Sequence, residues 1–189
     1  MDAIRLDVPC TGEGILALHA GDRVLLSGTV YTARDAAHRR MVELLGRGEE
    51  LPFRLEGGAI YYCGPAPAPP GRVIGAAGPT TSGRMDAYAP LLIERGLRLM
   101  IGKGPRSAAV LEAMRAHGAA YLAAAGGAGA LLASCITECE LVAWPELGPE
   151  AVRRLTVKDM PLTVAADAYG GNLYITGPAA WLEHSAAVG

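Results

Sequence analysis

Aromatic side chains and net charge are both scarce in this sequence. Phenylalanine occurs once among 189 residues, and aromatic residues make up 5% of the chain, so the core must be built mainly from Ala, Val, Leu and Ile. The formal net charge of -2 leaves no excess of basic residues for non-specific nucleic-acid binding. With 51% hydrophobic residues the chain can bury a sizeable core, and we expect a single globular domain over residues 1–189.

The chain also lacks a membrane-spanning run and a secretory leader. No apolar stretch approaches the roughly 20 residues that a transmembrane helix needs. The first ten residues, MDAIRLDVPC, have neither the basic nor the apolar region of a signal peptide. We therefore expect a cytoplasmic protein without membrane attachment.

Cysteines are few and are not spaced like metal ligands. There is no C-x-x-C pair; Cys135 and Cys139 are four residues apart, and no histidine lies near them. Because cluster sites group their thiolates closely, an iron–sulfur cluster held wholly within this chain is disfavoured, and we predict no metal ligands. We expect Cys10, Cys63, Cys135 and Cys139 to be reduced and to pack as small apolar side chains.

Hydrophobic periodicity predicts strands first, then repeated strand–helix units, then strands again. The last third reads as strand, Gly-rich turn, helix and strand, followed from GPEAVRRL by a helix start and then strands joined at Gly170-Gly171. Other predicted strands lie in AIRLDVP, HAGDRVLLSGTVYTA, AIYYCG, RVIGAA and LRLMIGKG. Predicted helices lie in RDAAHRRMVELLGRG, in DAYAPLLIERG with Asp86 as its cap, and in SAAVLEAMRAHG between a Ser107 cap and Gly118. This order indicates an α/β fold with a mixed sheet and flanking helices.

Three loops at predicted strand ends carry cations beside small or hydroxyl residues. Arg34 ends the second strand, GPTTSGRMD (78–86) follows the RVIGAA run, and Lys103 and Arg106 follow the LRLMIG strand. Ligands of α/β sheets bind beyond the carboxyl ends of the strands. Because cations oppose the dipole at a helix N-terminus, their placement there suggests an anionic ligand, and guanidinium groups suit carboxylates.

Each loop also has an ordinary structural explanation. Arg34 could pair with Asp35 or a surface acid, Lys103 could be a solvated turn residue, and GPTTSGR could be a turn with hydroxyl caps. Asp35 and His38 would either orient the RDAAH loop or serve as a helix N-terminal charge and a surface histidine. The combination of loops is more specific than any one of them.

Three segments resemble the β subunit of class I, iron–sulfur-dependent fumarate hydratases and L(+)-tartrate dehydratases, which is the C-terminal domain in fused members. They are SGTVYTARDAAHRR, GPTTSGRMDAYAPLLIERGLRLMIGKGPRS and LGPEAVRRLTVKDMP. The resemblance covers nearly the whole chain, although DAYGGNLYI lacks an acidic residue expected after its asparagine. It implies a swivelling β/β/α domain and a hydro-lyase that reversibly dehydrates a 2-hydroxydicarboxylate, malate to fumarate.

The resemblance also implies a partner and a set of site residues. A cysteine-bearing α subunit would hold a [4Fe–4S] cluster, and this chain would act only with that subunit, in an α2β2 assembly or with the β chain as a homodimer. Arg34, Thr81, Arg84 and Lys103 match the family's substrate-binding positions. Thr80, Arg84 and Lys103 match its catalytic positions, with Thr80 at the position proposed for the base.

Two other functions stay open at the level of sequence. The chain could be the β subunit of L(+)-tartrate dehydratase, whose substrate differs by one hydroxyl. It could also be a non-catalytic dicarboxylate-binding domain that has no α subunit. The presence of Thr80, Arg84 and Lys103 together argues against this second alternative.

Overall fold

A computed structural model describes residues 3–10, 12–125 and 127–188, within which lie seven strands, six α-helices and two 3-10 helices. The strands are β1 (Ile4–Val8), β2 (Arg23–Thr32), β3 (Ala59–Tyr61), β4 (Leu99–Gly102), β5 (Ala120–Ala123), β6 (Ile136–Ala143) and β7 (Val152–Ala166). The α-helices are α1 (Gly12–Leu16), α2 (Asp35–Gly46), α3 (Ala89–Glu94), α4 (Ala108–His117), α5 (Gly129–Ser134) and α6 (Leu173–Val188). The 3-10 helices are Ser82–Met85 and Pro145–Glu150.

The strands form a mixed sheet that closes on itself. β1 runs parallel to β2, and β2, β3, β4 and β5 pair in that order, all parallel. The long strand β7 is antiparallel to β5 at one end and to β2 along most of its length, and it also carries β6. The predicted mixed α/β fold with flanking helices is therefore confirmed, and the closure by β7 is a feature that the sequence did not predict.

Alternating residues of the strands supply two separate hydrophobic clusters, as the period of two in a strand requires. One cluster includes Leu26, Tyr61, Ile101, Leu122 and Leu155. The other includes the neighbouring strand residues Ile60, Met100 and Tyr121, packed with Met41 of α2, Leu92 of α3 and Met114 of α4. Both faces of the central parallel strands are thus buried, which leaves the strand ends as the places where polar side chains gather.

Two predicted strands are wrong. RVIGAA is irregular, because its backbone bonds to the proline-rich segment before it: Ala66 N–H donates to Ala76 O (3.0 Å), and Gly75 N–H donates to Ala66 O (3.2 Å). The segment after Gly170-Gly171 is helix α6 and not a strand. Asn172 explains the difference, since its side-chain oxygen accepts the N–H of Tyr174 (3.0 Å) and so caps the helix.

The predicted ends of α4 are confirmed. Ser107 Oγ accepts the N–H of Val110 at 3.5 Å, and Gly118 ends the helix in the left-handed conformation (φ 64, ψ 56). None of the helices within the described ranges is long and apolar enough to cross a membrane.

Gly28, in the middle of β2, gives a test of the β1–β2 contact. Its φ is +106, and a Cβ atom at this position would lie 2.1 Å from the carbonyl oxygen of Val8. Because Gly28→Ala combines a disfavoured φ with a backbone clash, we expect it to lower the free energy of unfolding by about 3 kcal/mol in urea denaturation. Gly46→Ala is the matched control: no atom lies within 4 Å of its Cβ, and helix propensity should raise stability by about 0.5–1 kcal/mol. Equal stability of the two variants would contradict this account.

Candidate functional site

A short extended segment crosses the carboxyl ends of β3 and β4. Thr80 N–H donates to Tyr62 O (2.7 Å), and Ser82 N–H donates to Lys103 O (2.8 Å). Two isolated bridges accompany these bonds, Cys63 with Pro79 and Thr81 with Lys103. The pairing brings Thr80, half-buried, and Thr81, exposed, to the ends of two adjacent parallel strands.

The close approach of this segment requires glycine on β4. A Cβ atom on Gly102 would lie 2.0 Å from Ser82 Oγ and 3.0 Å from the Tyr62 ring. Ser82 Oγ occupies this space and forms a hydrogen bond of 2.8 Å with the hydroxyl of Tyr121. The Tyr121 hydroxyl in turn donates to Gly104 O (3.0 Å). Burial raises the pKa of Tyr121, so this hydroxyl stays protonated. The Thr80–Arg84 segment and the Lys103 turn are therefore held together by buried polar contacts.

The Asp35 carboxylate joins the two predicted arginines. Arg84 Nε donates to Asp35 Oδ1 (2.8 Å), while Arg34 Nη2 lies 3.8 Å from Asp35 Oδ2. On its other side Arg34 Nη2 lies 3.4 Å from Glu150 Oε1, and the second Glu150 oxygen accepts the N–H of Ala36 (3.0 Å). The pairing of Arg34 with Asp35, left open from the sequence, therefore occurs, and it occurs within a group that also contains Arg84.

The two guanidinium groups differ in exposure. The Arg34 side chain is 21% exposed, and Gly64 leaves room for it, since a Cβ atom there would lie 3.0 Å from Arg34 Nη1. Arg84 is 51% exposed; it uses Nε for Asp35, and its two Nη atoms have no partner in the described part of the chain. Three neighbouring buried atoms also lack a hydrogen-bond partner among the described residues: Arg34 Nε, Asp35 Oδ2 and His38 Nε2.

Lys103, unlike Arg34 and Arg84, is not paired with a carboxylate in the described part of the chain. It is exposed, and it has no acidic partner among residues 3–10, 12–125 and 127–188. The edge thus carries three cations, Arg34, Arg84 and Lys103, against the two carboxylates of Asp35 and Glu150. An anion bound here would meet a positive local charge.

Arg106 does not belong to this edge, contrary to the expectation for the third loop. Its side chain is 1% exposed; Nε donates to Asp86 Oδ1 (2.7 Å), and the guanidinium lies over the rings of Tyr62 and Tyr121 at 5.2 and 5.1 Å. The role predicted for Asp86 is also wrong: it accepts the Ser107 N–H (2.5 Å) at the start of α4 and does not cap the helix that follows it. A buried guanidinium requires a carboxylate partner, and Asp86 supplies it.

His38 is fully buried, so the surface-histidine alternative is wrong. Its Nδ1 lies 2.9 Å from the carbonyl oxygen of Arg34, and its ring meets the Tyr62 ring edge-on at 5.3 Å. Burial lowers the pKa of His38 to about 4. The imidazole is therefore neutral at pH 7, with Nδ1–H donating to the Arg34 carbonyl and Nε2 left as an acceptor.

The thiols of this chain do not fit an iron–sulfur cluster. Cys63 is buried, and Cys10, Cys135 and Cys139 are half-buried. Burial raises the pKa of Cys10 to about 11 and that of Cys63 to about 12, so both are neutral thiols at pH 7. In the part of the chain that the structure describes, no three His, Cys, Asp or Glu side chains come together as a metal site.

Sequence reasoning missed Glu150 and Tyr121. Glu150 lies in the LGPEAVRRLTVKDMP segment, but nothing in its spacing relates it to Arg34. Tyr121 lies in an apolar strand run, where its hydroxyl gives no signal in the sequence. Both contacts depend on strand pairing between distant parts of the chain.

The sheet and this edge define an α/β domain in which three cations and two threonine hydroxyls gather at one end of the parallel strands. Residues 1–177 match the family model described as fumarase C-terminus, and the chain belongs to that family. The resemblance predicted from the loop motifs is thereby confirmed.

Relatives of the chain include both fused enzymes and a separate subunit. It is 40% identical over 179 residues to the anaerobic class I fumarate hydratase of Escherichia coli K12, covering 92% of this chain and 33% of that one. It is 42% identical over 156 residues to fumarate hydratase 2 of Leishmania major, covering 82% and 28%. It is 39% identical over 170 residues to a provisionally named L(+)-tartrate dehydratase subunit beta of Methanocaldococcus jannaschii, covering 87% of each. The chain thus spans about a third of the length of the fumarate hydratases that it matches.

The burial of His38 predicts an acid-sensitive site. Because its pKa is about 4 in the folded state against 6.5 in the unfolded state, its contribution to stability is present above pH 6.5 and is lost as the pH falls towards 4. We expect this loss to be about 3 kcal/mol. His38→Gln should show a shallower decline of the unfolding free energy between pH 7 and pH 4, measured by urea denaturation. The exposed His117, changed to Gln, should keep the wild-type decline, and identical pH profiles of the two variants would contradict the assignment.

Proposed function

We propose that this chain is the β subunit of an iron–sulfur-dependent hydro-lyase that reversibly dehydrates a 2-hydroxydicarboxylate, malate to fumarate. The observation that carries the proposal is the convergence of Arg34, Thr80, Thr81, Arg84 and Lys103 at one sheet edge of a member of the fumarase C-terminus family. The proposal includes a single domain of the swivelling β/β/α type, over residues 1–189, and a cytoplasmic location.

The proposal assigns the [4Fe–4S] cluster to a cysteine-bearing α subunit, because the thiols of this chain do not fit it. The assembled enzyme would be an α2β2 complex or would contain a homodimer of this chain. The role left to this chain is to bind the dicarboxylate, to exclude water from it and to move a proton at the carbon next to a carboxylate.

The three cations would bind the two carboxylates of the substrate. Arg84 has both Nη atoms free for a two-pronged contact, because its position is fixed through Nε and Asp35. Removing a proton next to a carboxylate places negative charge on that carboxylate in the transition state, and a fixed guanidinium stabilises this charge. Asp35 and Glu150 would hold the arginines in place before the substrate arrives.

Thr80 is the proposed base, and Thr81 a hydroxyl donor to the substrate. The two threonines differ in burial, since Thr80 is half-buried and its N–H is bonded to Tyr62 O, whereas Thr81 is exposed. A neutral threonine is a weak base, so this role requires cationic support. Arg84, four residues further along the same segment, is the residue proposed to supply it.

Coexpression with the α subunit and anaerobic purification test the proposal. We expect turnover of malate and fumarate by the pair and none by this chain alone. Assays with both tartrate enantiomers test the second candidate, L(+)-tartrate dehydratase; the subunit beta relative of that name matches this chain over 87% of each sequence. Saturable binding of dicarboxylates without turnover of any of them would indicate the non-catalytic alternative.

Substitution of the arginines tests the carboxylate contacts. In Arg34→Lys and Arg84→Lys the charge remains but the two-pronged contact is lost, so kcat/KM should fall by about 10–100-fold. Arg95, an exposed residue at the end of α3, is the matched control, and Arg95→Lys should keep the wild-type value. Wild-type kinetics for both site variants would mean that these arginines serve the fold alone.

A comparison of the two threonines separates proton transfer from binding. Thr80→Val should lower kcat by about 10²–10⁴-fold with little change in substrate binding, since general-base catalysis acts in the transition state. Thr81→Val should act mainly on KM. The readout is exchange of the substrate C3 proton into deuterated water, measured in the complex with the α subunit. Exchange at the wild-type rate in Thr80→Val would rule out Thr80 as the base.

A further inference from the structure

The peptide group between Lys103 and Gly104 is held from both sides. Its carbonyl oxygen, on Lys103, accepts the N–H of Ser82 at 2.8 Å. Its N–H, on Gly104, donates to the hydroxyl oxygen of Tyr174 at 2.8 Å. Tyr174 lies in the first turn of α6, so the C-terminal helix reaches the candidate site through this side chain.

The position of Tyr174 is fixed by the start of α6. Its own N–H donates to Asn172 Oδ1 (3.0 Å), and Asn172 is buried. On the other side Gly104 adopts a φ of +83, and its carbonyl oxygen accepts the hydroxyl of Tyr121 at 3.0 Å. Local hydrogen bonds hold both the chain turn at Lys103–Gly104 and the start of helix α6. The contact between Tyr174 and Gly104 therefore places a phenol group beside Lys103.

The hydroxyl of Tyr174 has an O–H donor that no described residue accepts. A tyrosine hydroxyl can accept a hydrogen bond and donate one, and here the accepted bond comes from Gly104. Among the residues that the structure describes, no acceptor takes the O–H of Tyr174, and the side chain is 38% exposed. Lys103, the residue before Gly104, is exposed and has no acidic partner within the same described ranges. A free hydroxyl donor from α6 therefore contacts the turn that carries an unneutralised ammonium.

We propose that Tyr174 is a further ligand-binding residue, whose hydroxyl donates to the carboxylate that Lys103 binds. The inference rests on the proposed function, since it concerns the same dicarboxylate. It assigns the two ends of the ligand: one carboxylate to Lys103 and Tyr174, the other to Arg34 and Arg84, whose charges are partly offset by Asp35 and Glu150. A hydroxyl donor held beside the ammonium fixes the orientation of the carboxylate, which the flexible side chain of Lys103 alone does not.

Tyr174→Phe tests the inference, and Tyr169→Phe is its matched control. Both tyrosines are exposed, lie in the same C-terminal segment and hydrogen-bond a backbone group; the Tyr169 hydroxyl donates to Leu16 O at 2.8 Å. In the complex with the α subunit, the quantities to measure are KM and kcat for malate and the competitive inhibition constant of succinate, a dicarboxylate without the reacting hydroxyl. We expect Tyr174→Phe to raise the inhibition constant and KM by about tenfold with kcat within about twofold, because a bond present in ground and transition states is lost. Tyr169→Phe should change none of the three.

The inhibition constant of succinate decides the outcome. If it is the same in Tyr174→Phe and Tyr169→Phe, the inference is wrong, and a fall in kcat without that change would mean that Tyr174 fixes the turn and does not touch the ligand. If the wild-type complex neither turns over malate nor binds succinate, the proposed function itself fails and the inference fails with it. Because Tyr174 is more than a third exposed, melting temperatures of both variants should match that of the wild type.

Discussion

The candidate site depends on the pairing of residues 79–82 with the carboxyl ends of β3 and β4. Two backbone hydrogen bonds, from Thr80 to Tyr62 and from Ser82 to Lys103, carry a loop segment across two strand ends that are distant from it in sequence. The absence of a side chain at Gly102 lets Ser82 approach, and the Tyr121 hydroxyl then joins Ser82 to Gly104. Without this pairing, Thr80, Thr81 and Arg84 would have no fixed relation to Lys103.

Burial decides which cations of the three loops can meet a ligand. Arg106, 1% exposed and paired with Asp86, lies over the rings of Tyr62 and Tyr121 and serves the fold. Arg84, 51% exposed, has a carboxylate on one nitrogen and two nitrogens free. Arg34 lies between these cases, because Asp35 and Glu150 both approach its Nη2 atom. Asp35 contacts both guanidinium groups and so keeps them close together.

The sequence predicted those parts of the fold and site whose signals are local. The alternation in β1 and β2, the apolar stripe of α2 and the Ser107 and Gly118 ends of α4 are such signals, and so are the positions of Arg34 and Lys103 after β2 and β4. The strand predicted before residues 78–86 is absent, and that loop reaches the edge by pairing with the ends of β3 and β4. Contacts between distant segments were not predicted. The closure of the sheet by β7, the burial of Arg106 against Asp86 and the approach of Glu150 to Arg34 all depend on pairing that no spacing reveals. The sequence Leu173-Tyr174-Ile175 favoured a strand. The segment instead forms helix α6, because the Asn172 side chain caps its first turn.

The central claim is that the edge formed by these loops binds a dicarboxylate, and backbone amide chemical shifts of the full chain during titration with succinate test it most directly. We expect saturable shifts at residues 34–36, 80–84 and 103–104, and much weaker ones with butyrate, which has a single carboxylate. A surface cavity lined by Leu45, Phe53 and Arg95, among others, includes none of these residues and provides an internal comparison. Saturable shifts confined to that cavity, or equal responses to succinate and butyrate, would contradict the account.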